Sequence, residues 1–224
     1  YRAAVTAEPS LAAFFTADNC LTTTLTNVVD VSRNGTLEGV VSYDGRTNRS
    51  FGQRAVAFTG AGVVQIPNNP AFEFSSGNGT IEGLIYLEGG AFQDNTIFSL
   101  AYDGGAIGYS LQVSRDGAQL MYVNDSPVTL SWPVPLSLIG RLAHVALVID
   151  NTTNVTVYLD GQSLGSKAQP GFGGAGGAPA WIGGLGSSLV KPFNGTIDEV
   201  SVYGSALSLI RFKFIIPDSF MEPM

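Results

Sequence analysis

The stretch at residues 144–165, HVALVIDNTTNVTVYLDGQSLG, constrains the fold more than any other part of the chain. Side chains alternate between the two faces of a strand, so Val145, Leu147 and Ile149 share one face. Val155, Val157 and Leu159 share one face of the returning strand. Asn151-Thr152-Thr153-Asn154 turns the chain between them, and Asp160-Gly161 provides a second tight turn of the kind that accepts positive φ.

Short apolar-alternating runs broken by Gly, Asn-Gly and Asp-Gly recur from about residue 36 to residue 203, the rhythm of an antiparallel sandwich. Strands are predicted at 11–16, 36–41, 55–58, 62–66, 79–87, 96–101, 108–114, 119–123 and 126–132. A later group is predicted at 144–150, 155–160, 181–184 and 196–203. Residues 1–7 read as a short helix, because Ala3, Ala4 and Ala7 favour one and Pro9 ends it. The stretch 169–179, QPGFGGAGGAP, has too little side chain to be anything but a loop, and strand signals resume at Trp181, so the chain is read as one domain over 1–224.

Charged residues make up 13% of the chain against about 25% in an average soluble protein, and the net charge is −7. That balance offers no Lys/Arg cluster for phosphate backbones or anionic lipid, so neither nucleic acid nor membrane insertion is expected. No apolar run approaches the ~18 residues of a spanning helix, and no charged segment followed by an apolar one opens the sequence as in a signal peptide. Cys20 is the single cysteine, so no internal disulfide can form. Asn-x-Ser/Thr acceptor sequences begin at Asn34, Asn48, Asn78, Asn124, Asn151, Asn154 and Asn194, and they matter only on a eukaryotic secretory route.

Five local patterns resemble the laminin-G-like jelly rolls of the concanavalin A-like lectin and glucanase group. The opening YRAAVTAEPSLAAFFTADN looks like that family's helix and first strand, and VVDVSRNGTLEG like its Asp-x-Ser-x-Asn-Gly loop. RAVAFTGAGVVQIP resembles its Phe-x-Gly strand pair, the 144–165 stretch its central hairpin, and WIGG with FNGTIDEVSVYGSALS its closing strand. The resemblance implies an all-β, two-sheet antiparallel jelly-roll sandwich over about residues 1–208. Two departures stand out: Arg141-Leu142-Ala143 replaces the Trp-His that often precedes the hairpin, and the 209–224 tail is unusually apolar. In that tail Ile210, Phe212, Phe214 and Ile216 share one parity, the pattern of a closing strand or of an edge strand exchanged with a neighbouring copy.

A Ser-His-Asp or Cys-His mechanism needs an exposed base beside a nucleophile, and the single histidine, His144, lies within the hairpin strand. Retaining glycosidases need two carboxylates about 5 Å apart on one face. Asp198 and Glu199 are adjacent, which in a regular strand sends them to opposite faces. Gly171-Phe172-Gly173-Gly174-Ala175-Gly176 matches the dinucleotide fingerprint in form, but no strand-to-helix context surrounds it.

Asp198 shares parity with Val200 and Val202, so its carboxylate requires a compensating partner. One such partner is a set of backbone N–H groups; the other, implied by resemblance, is a structural calcium ion with Asp18 as second carboxylate. Carbohydrate contact is expected of loop-borne aromatics, with Tyr43, Phe92, Tyr102, Tyr109, Trp132, Phe172 and Trp181 as candidates and Trp132 and Phe172 carried forward.

The expected function is a non-catalytic recognition or assembly module on an extracellular surface or virion, binding glycan or protein, with self-assembly through the tail. The opening segment resembles domains of phage tail and decoration proteins. Two alternatives are a glycosylated extracellular eukaryotic or filament-forming domain and a divergent polysaccharide-acting enzyme.

Overall fold

The computed structural model describes residues 1–18, 23–45, 54–74, 77–89, 93–102, 106–124, 128–151, 153–169, 176–188 and 190–208. Cys20, Asn48, Phe92, Phe172 and the 209–224 tail lie outside them, and with them the expectations that rest on those positions.

A single helical turn, α1 (Arg2–Thr6), precedes β1 (Leu11–Thr16), β2 (Thr24–Asn27), β3 (Gly35–Asp44) and β4 (Ala55–Ile66). The chain continues through β5 (Gly79–Leu87), β6 (Asn95–Ala101), β7 (Ile107–Val113), β8 (Gln119–Val123) and β9 (Thr129–Pro133). Then come β10 (Leu142–Asp150), β11 (Asn154–Leu159), β12 (Gln162–Ala168), β13 (Ala180–Ile182) and β14 (Asn194–Tyr203).

Hydrogen bonding links the strands in the order β12-β11-β10-β5-β14-β1-β2-β3-β4-β13-β6-β7-β8-β9. This ribbon folds over itself into two antiparallel layers, so the chain is a jelly-roll sandwich as its sequence implies. One layer runs from β12 to β1 and the other from β3 to β9, with β2 and a direct β14–β4 pairing joining them. Between the layers lies one apolar core that includes Phe15, Phe58, Ile85, Phe98, Leu111, Val145, Leu147, Val157 and Ile197.

The 144–165 hairpin forms in the expected register, with Val145 opposite Leu159, Leu147 opposite Val157 and Ile149 opposite Val155. Asn151 and Asp160 take positive φ at the two turns. At the far edges, the Trp132 indole N–H donates to the Gly165 carbonyl at 2.9 Å, joining β9 of one layer to β12 of the other. Lys167 adds a bond to the Ser131 carbonyl and lies 5.2 Å from the Trp132 ring centre.

Besides β2, which the strand prediction omits, three features depart from the sequence expectation. β4 is one strand rather than two, because it bends instead of turning: Gly39 opposite it takes a φ of 74°, and the β3–β4 register slips between Gly39 and Val41. The bend carries β4 from β14 in one layer to β13 in the other. β12 forms where only a turn was expected; it is a mostly exposed strand without apolar alternation. In β14 the register against β5 slips between Asp198 and Ser201, with Glu199 at a φ of 53°.

That bulge corrects the parity assigned to Asp198. Ile197, Val200 and Val202 all reach the core, because the extra residue shifts the alternation by one. Asp198 alternates away from Ile197 and so leaves the core side, and Glu199 follows it.

Candidate functional site

The outer face of the β5–β14–β1 region carries the most concentrated polar chemistry among the described residues. α1 lies across it, and Val5 packs with Phe14, Ala146, Val148, Tyr158, Tyr203 and Leu207 in a second apolar cluster. Beneath that cover, His144 Nε2 stands 2.9 Å from a Glu82 carboxylate oxygen, and the Tyr203 hydroxyl donates to the other oxygen. Neighbouring strand positions line these groups up: His144 pairs with Leu84 across β10–β5, and Ser201 pairs with Glu82 across β14–β5.

Beside this group, Arg2 reaches down from α1. Its Nε donates to both oxygens of Glu199, at 3.0 and 2.9 Å, and its guanidinium also bonds Thr16 Oγ1 at 3.1 Å and Asp18 at 2.6 Å. Burial pushes the Glu199 carboxyl above its ordinary range, and the bonds from Arg2 offset that only in part. The bond to Glu199 in turn raises Arg2, against its own desolvation.

These residues do not fit the calcium ion implied by resemblance. Calcium takes six to eight oxygen ligands. Both oxygens of Asp18 are engaged, one with Arg2 and the other with the Arg54 backbone N–H at 3.0 Å. Asp198 Oδ1 accepts the Glu199 N–H at 2.9 Å. The positive charge between Asp18 and Glu199 is a guanidinium, and no group of three or more His, Cys, Asp or Glu side chains is placed to hold a metal among the described residues.

A concave site lies nearby, on the outer surface where β3, β4, β14 and β5 run side by side. Ser42 pairs with Ala57, Ala57 with Thr196, and Thr196 with Tyr86, so one row of short side chains crosses three strands before meeting a ring. The resulting trough is lined by Ser42, Asp44, Ala57, Thr59, Glu88 and Thr196, with Tyr43, Phe58 and Gly195 completing it. Its volume of about 400 Å³ falls within the range for small-molecule sites.

Gly195 is required at the floor. A Cβ there would stand 2.0 Å from the Tyr86 carbonyl oxygen, and its φ is 143°. Asp44 and Glu88 rise on opposite banks, from strands three spacings or ~14 Å apart. They are the charged side chains among the described lining residues.

Most of the aromatic candidates lie elsewhere. Trp132 is 1% exposed and belongs to the core, so its assignment to ligand contact is corrected: its ring fills the sandwich and its N–H is held by Gly165. Trp181 is also buried, bonding the Ala101 carbonyl at 2.9 Å, and Tyr109 is sealed beneath a bond to the Phe72 carbonyl. Tyr102 is exposed, and its hydroxyl bonds Gly176. Tyr43 alone of the described candidates lines the trough, and its hydroxyl donates to the Thr24 carbonyl at 2.9 Å.

Among the acceptor asparagines, Asn151 and Asn154 are exposed at the hairpin turn. Asn34, Asn78 and Asn194 are half-buried and hold backbone groups: Asn34 accepts the Asn27 N–H, Asn78 the Asn151 N–H, and Asn194 donates to Gly89. Asn124 is 2% exposed, which excludes it as a glycan acceptor in the folded chain. Sequence reading missed Ser42, Asp44, Ala57, Thr59, Glu88 and Thr196, because cross-strand register brings them together and local spacing does not.

A laminin-G-type family model, described as concanavalin A-like lectin/glucanases superfamily, matches residues 58–209. No curated protein sequence matches the chain. Domain 4 of AbnA, a GH43 extracellular arabinanase from Geobacillus stearothermophilus solved with arabinotriose, superposes with a TM-score of 0.68 at 20% identity, covering 93% of this chain and 98% of that one. Trypanosoma rangeli sialidase in complex with sialic acid gives 0.70 at 15% identity, over 96% of this chain and 34% of the sialidase. The binding domain of Paraclostridial Mosquitocidal Protein 1 gives 0.69 at 12% identity, over 92% of this chain and 51% of that domain. The chain thus spans about half of the toxin domain and about a third of the sialidase. At these identities the likeness shows the fold alone.

Proposed function

Because the chain belongs to the concanavalin A-like lectin/glucanases superfamily, we propose that it is a non-catalytic recognition module that binds glycan in the trough between β3 and β5. The trough itself carries this reading: a floor of Ala57 and Gly195, with hydroxyls and carboxylates on the banks. A sugar ring needs that division, an apolar surface for its C–H face and placed acceptors for its hydroxyls. Carboxylate acceptors suit the second role, because hydrogen bonds to a charged acceptor are about twice as strong as neutral ones.

Two further observations support a role in binding. His144 is buried against Glu82, away from any surface where it could act as a base. A similar domain, at nearly full mutual coverage, belongs to an arabinanase and was solved with arabinotriose. We place the module on an extracellular surface or a virion, where such a domain would meet glycans.

The test is titration calorimetry of the 224-residue chain against neutral and acidic oligosaccharides, beside an Ala57→Trp variant that fills the trough from a partly exposed position. Binding by the parent chain and its loss in the variant, with an unchanged circular dichroism spectrum, is the expected result. No binding to any oligosaccharide, equal binding by the variant, or release of shortened products would overturn the reading.

A further inference from the structure

We infer that the outer face of β1, β14 and β10 is a recognition site for an arginine-bearing helical turn, filled in cis by residues 1–6, which lift away without unfolding the sandwich. The cradle belongs to the sandwich. Glu199 of β14, its side chain fully buried, takes the Arg2 Nε with both oxygens, and Thr16 Oγ1 of β1 takes Nη2 at 3.1 Å. Asp18 takes Nη1 at 2.6 Å. Every nitrogen of the guanidinium thus meets an acceptor, in a planar fork that an ammonium cannot reproduce. Glu199, Thr16 and Asp18 are not among the described lining residues of the trough, so this site is separate from it.

The occupant defines the ligand class. Arg2 and Val5 stand three apart, neighbours on one side of a helical turn. The turn that delivers the cation therefore also delivers Val5 to the apolar cluster of Phe14, Val148 and Tyr158. A peptide with an arginine and an aliphatic residue three positions on carries the same two anchors.

Little besides this face holds the turn in place. α1 is five residues long, has no side-chain cap bond and no acid in its first turn, and a helix this short does not persist alone in water. Ala3, Thr6 and Ala7 are exposed, so its other side is undocked. The core between the layers includes no residue from 1–12, so lifting the turn leaves that core whole. It would uncover His144, which the Tyr1 ring closes edge-on with ring centres 6.3 Å apart. His144 is the single histidine of the chain and so reports the opening without ambiguity.

The test is modification of His144 by diethyl pyrocarbonate, read by mass spectrometry beside amide exchange. In the parent chain His144 should be modified through openings that leave the Leu147 and Ile149 amides of β10 protected. Modification no faster than exchange of those amides would tie the turn to global unfolding and overturn the inference. Arg2→Ala, and Arg2→Lys, which keeps the charge but loses the fork, should each speed modification at least about tenfold with both amides still protected. Unchanged modification in either variant counts against the site. Ethylguanidinium at millimolar concentration should raise the melting temperature of Arg2→Ala and leave the parent unchanged, and ethylammonium should do neither. A synthetic peptide of residues 1–6 should bind Arg2→Ala by calorimetry and protect His144 again. Failure of either probe, or an equal effect from ethylammonium, overturns the recognition site.

Discussion

His144 Nε2 lies 2.9 Å from a carboxylate oxygen of Glu82, with both side chains closed off from solvent beneath the N-terminal helix. Tyr203 donates to the other oxygen of Glu82, so three residues from β5, β10 and β14 share one buried polar contact. Leaving such a group unsatisfied costs about 1–3 kcal/mol, and more when it is charged. Tyr203→Phe should therefore destabilise the chain by about 1.5–3 kcal/mol, the usual worth of a hydrogen bond to a charged group. Glu82→Ala should exceed it, reaching about 3–5 kcal/mol as for a broken buried pair. Urea unfolding midpoints measure both, and a loss under about 0.5 kcal/mol for either would be that of an ordinary surface position.

Glu199 gives the stability a pH dependence of definite sign. Its folded-state pKa is raised, chiefly by burial. The contribution of this group is fully present below the carboxyl's ordinary value and is lost as pH rises through the raised one. A Glu199→Gln variant cannot titrate there. The melting temperature of the variant minus that of the parent should therefore climb between about pH 4 and pH 7. A difference that is flat or falls over that interval would contradict the assignment.

Arg2 supplies the positive charge beside Asp18, one of the two carboxylates that resemblance would give to calcium. Melting in excess EGTA and in millimolar calcium should coincide for the parent chain. Arg2→Ala should melt at lower temperature in both, because it leaves the buried Glu199 carboxylate without its bidentate donor. A clear EGTA-induced drop in the parent would restore the metal to this site.

Much of the layout was legible in the residues. The 144–165 hairpin announces itself because both of its faces are buried or paired, so alternation and turn chemistry agree. β12 was invisible for the opposite reason: it is an exposed edge strand, and an edge needs no apolar alternation. The β14 bulge could not be read, since a glutamate at positive φ carries no sequence mark, and the parity of Asp198 was misjudged with it. Trp132 reads in sequence like a loop-borne aromatic, whereas its ring is in the core. The trough joins residues 42, 57, 88 and 196, which only the strand order brings together.

Trp132→Ala tests that correction. Truncating a buried Trp costs about 3–5 kcal/mol, and stability should fall by that much while affinity for any trough ligand is unchanged. Loss of affinity with stability intact would return Trp132 to the binding surface.

Expression through a eukaryotic secretory route should leave Asn124 bare, whereas Asn154, exposed at the hairpin turn, is open to modification. Peptide mass mapping reads both sites. A glycan on Asn124 in folded chain would contradict its burial.

The bond from Trp132 to Gly165 has a consequence for how many such molecules can stand together. β9 and β12 are the two ends of the strand order, the places where a sandwich could recruit a neighbour's backbone and grow into a fibril. Pinned to one another, they are partly occupied within the molecule. Copies crowded on one surface would then meet through side chains rather than by templating strands, leaving each trough open to the surroundings.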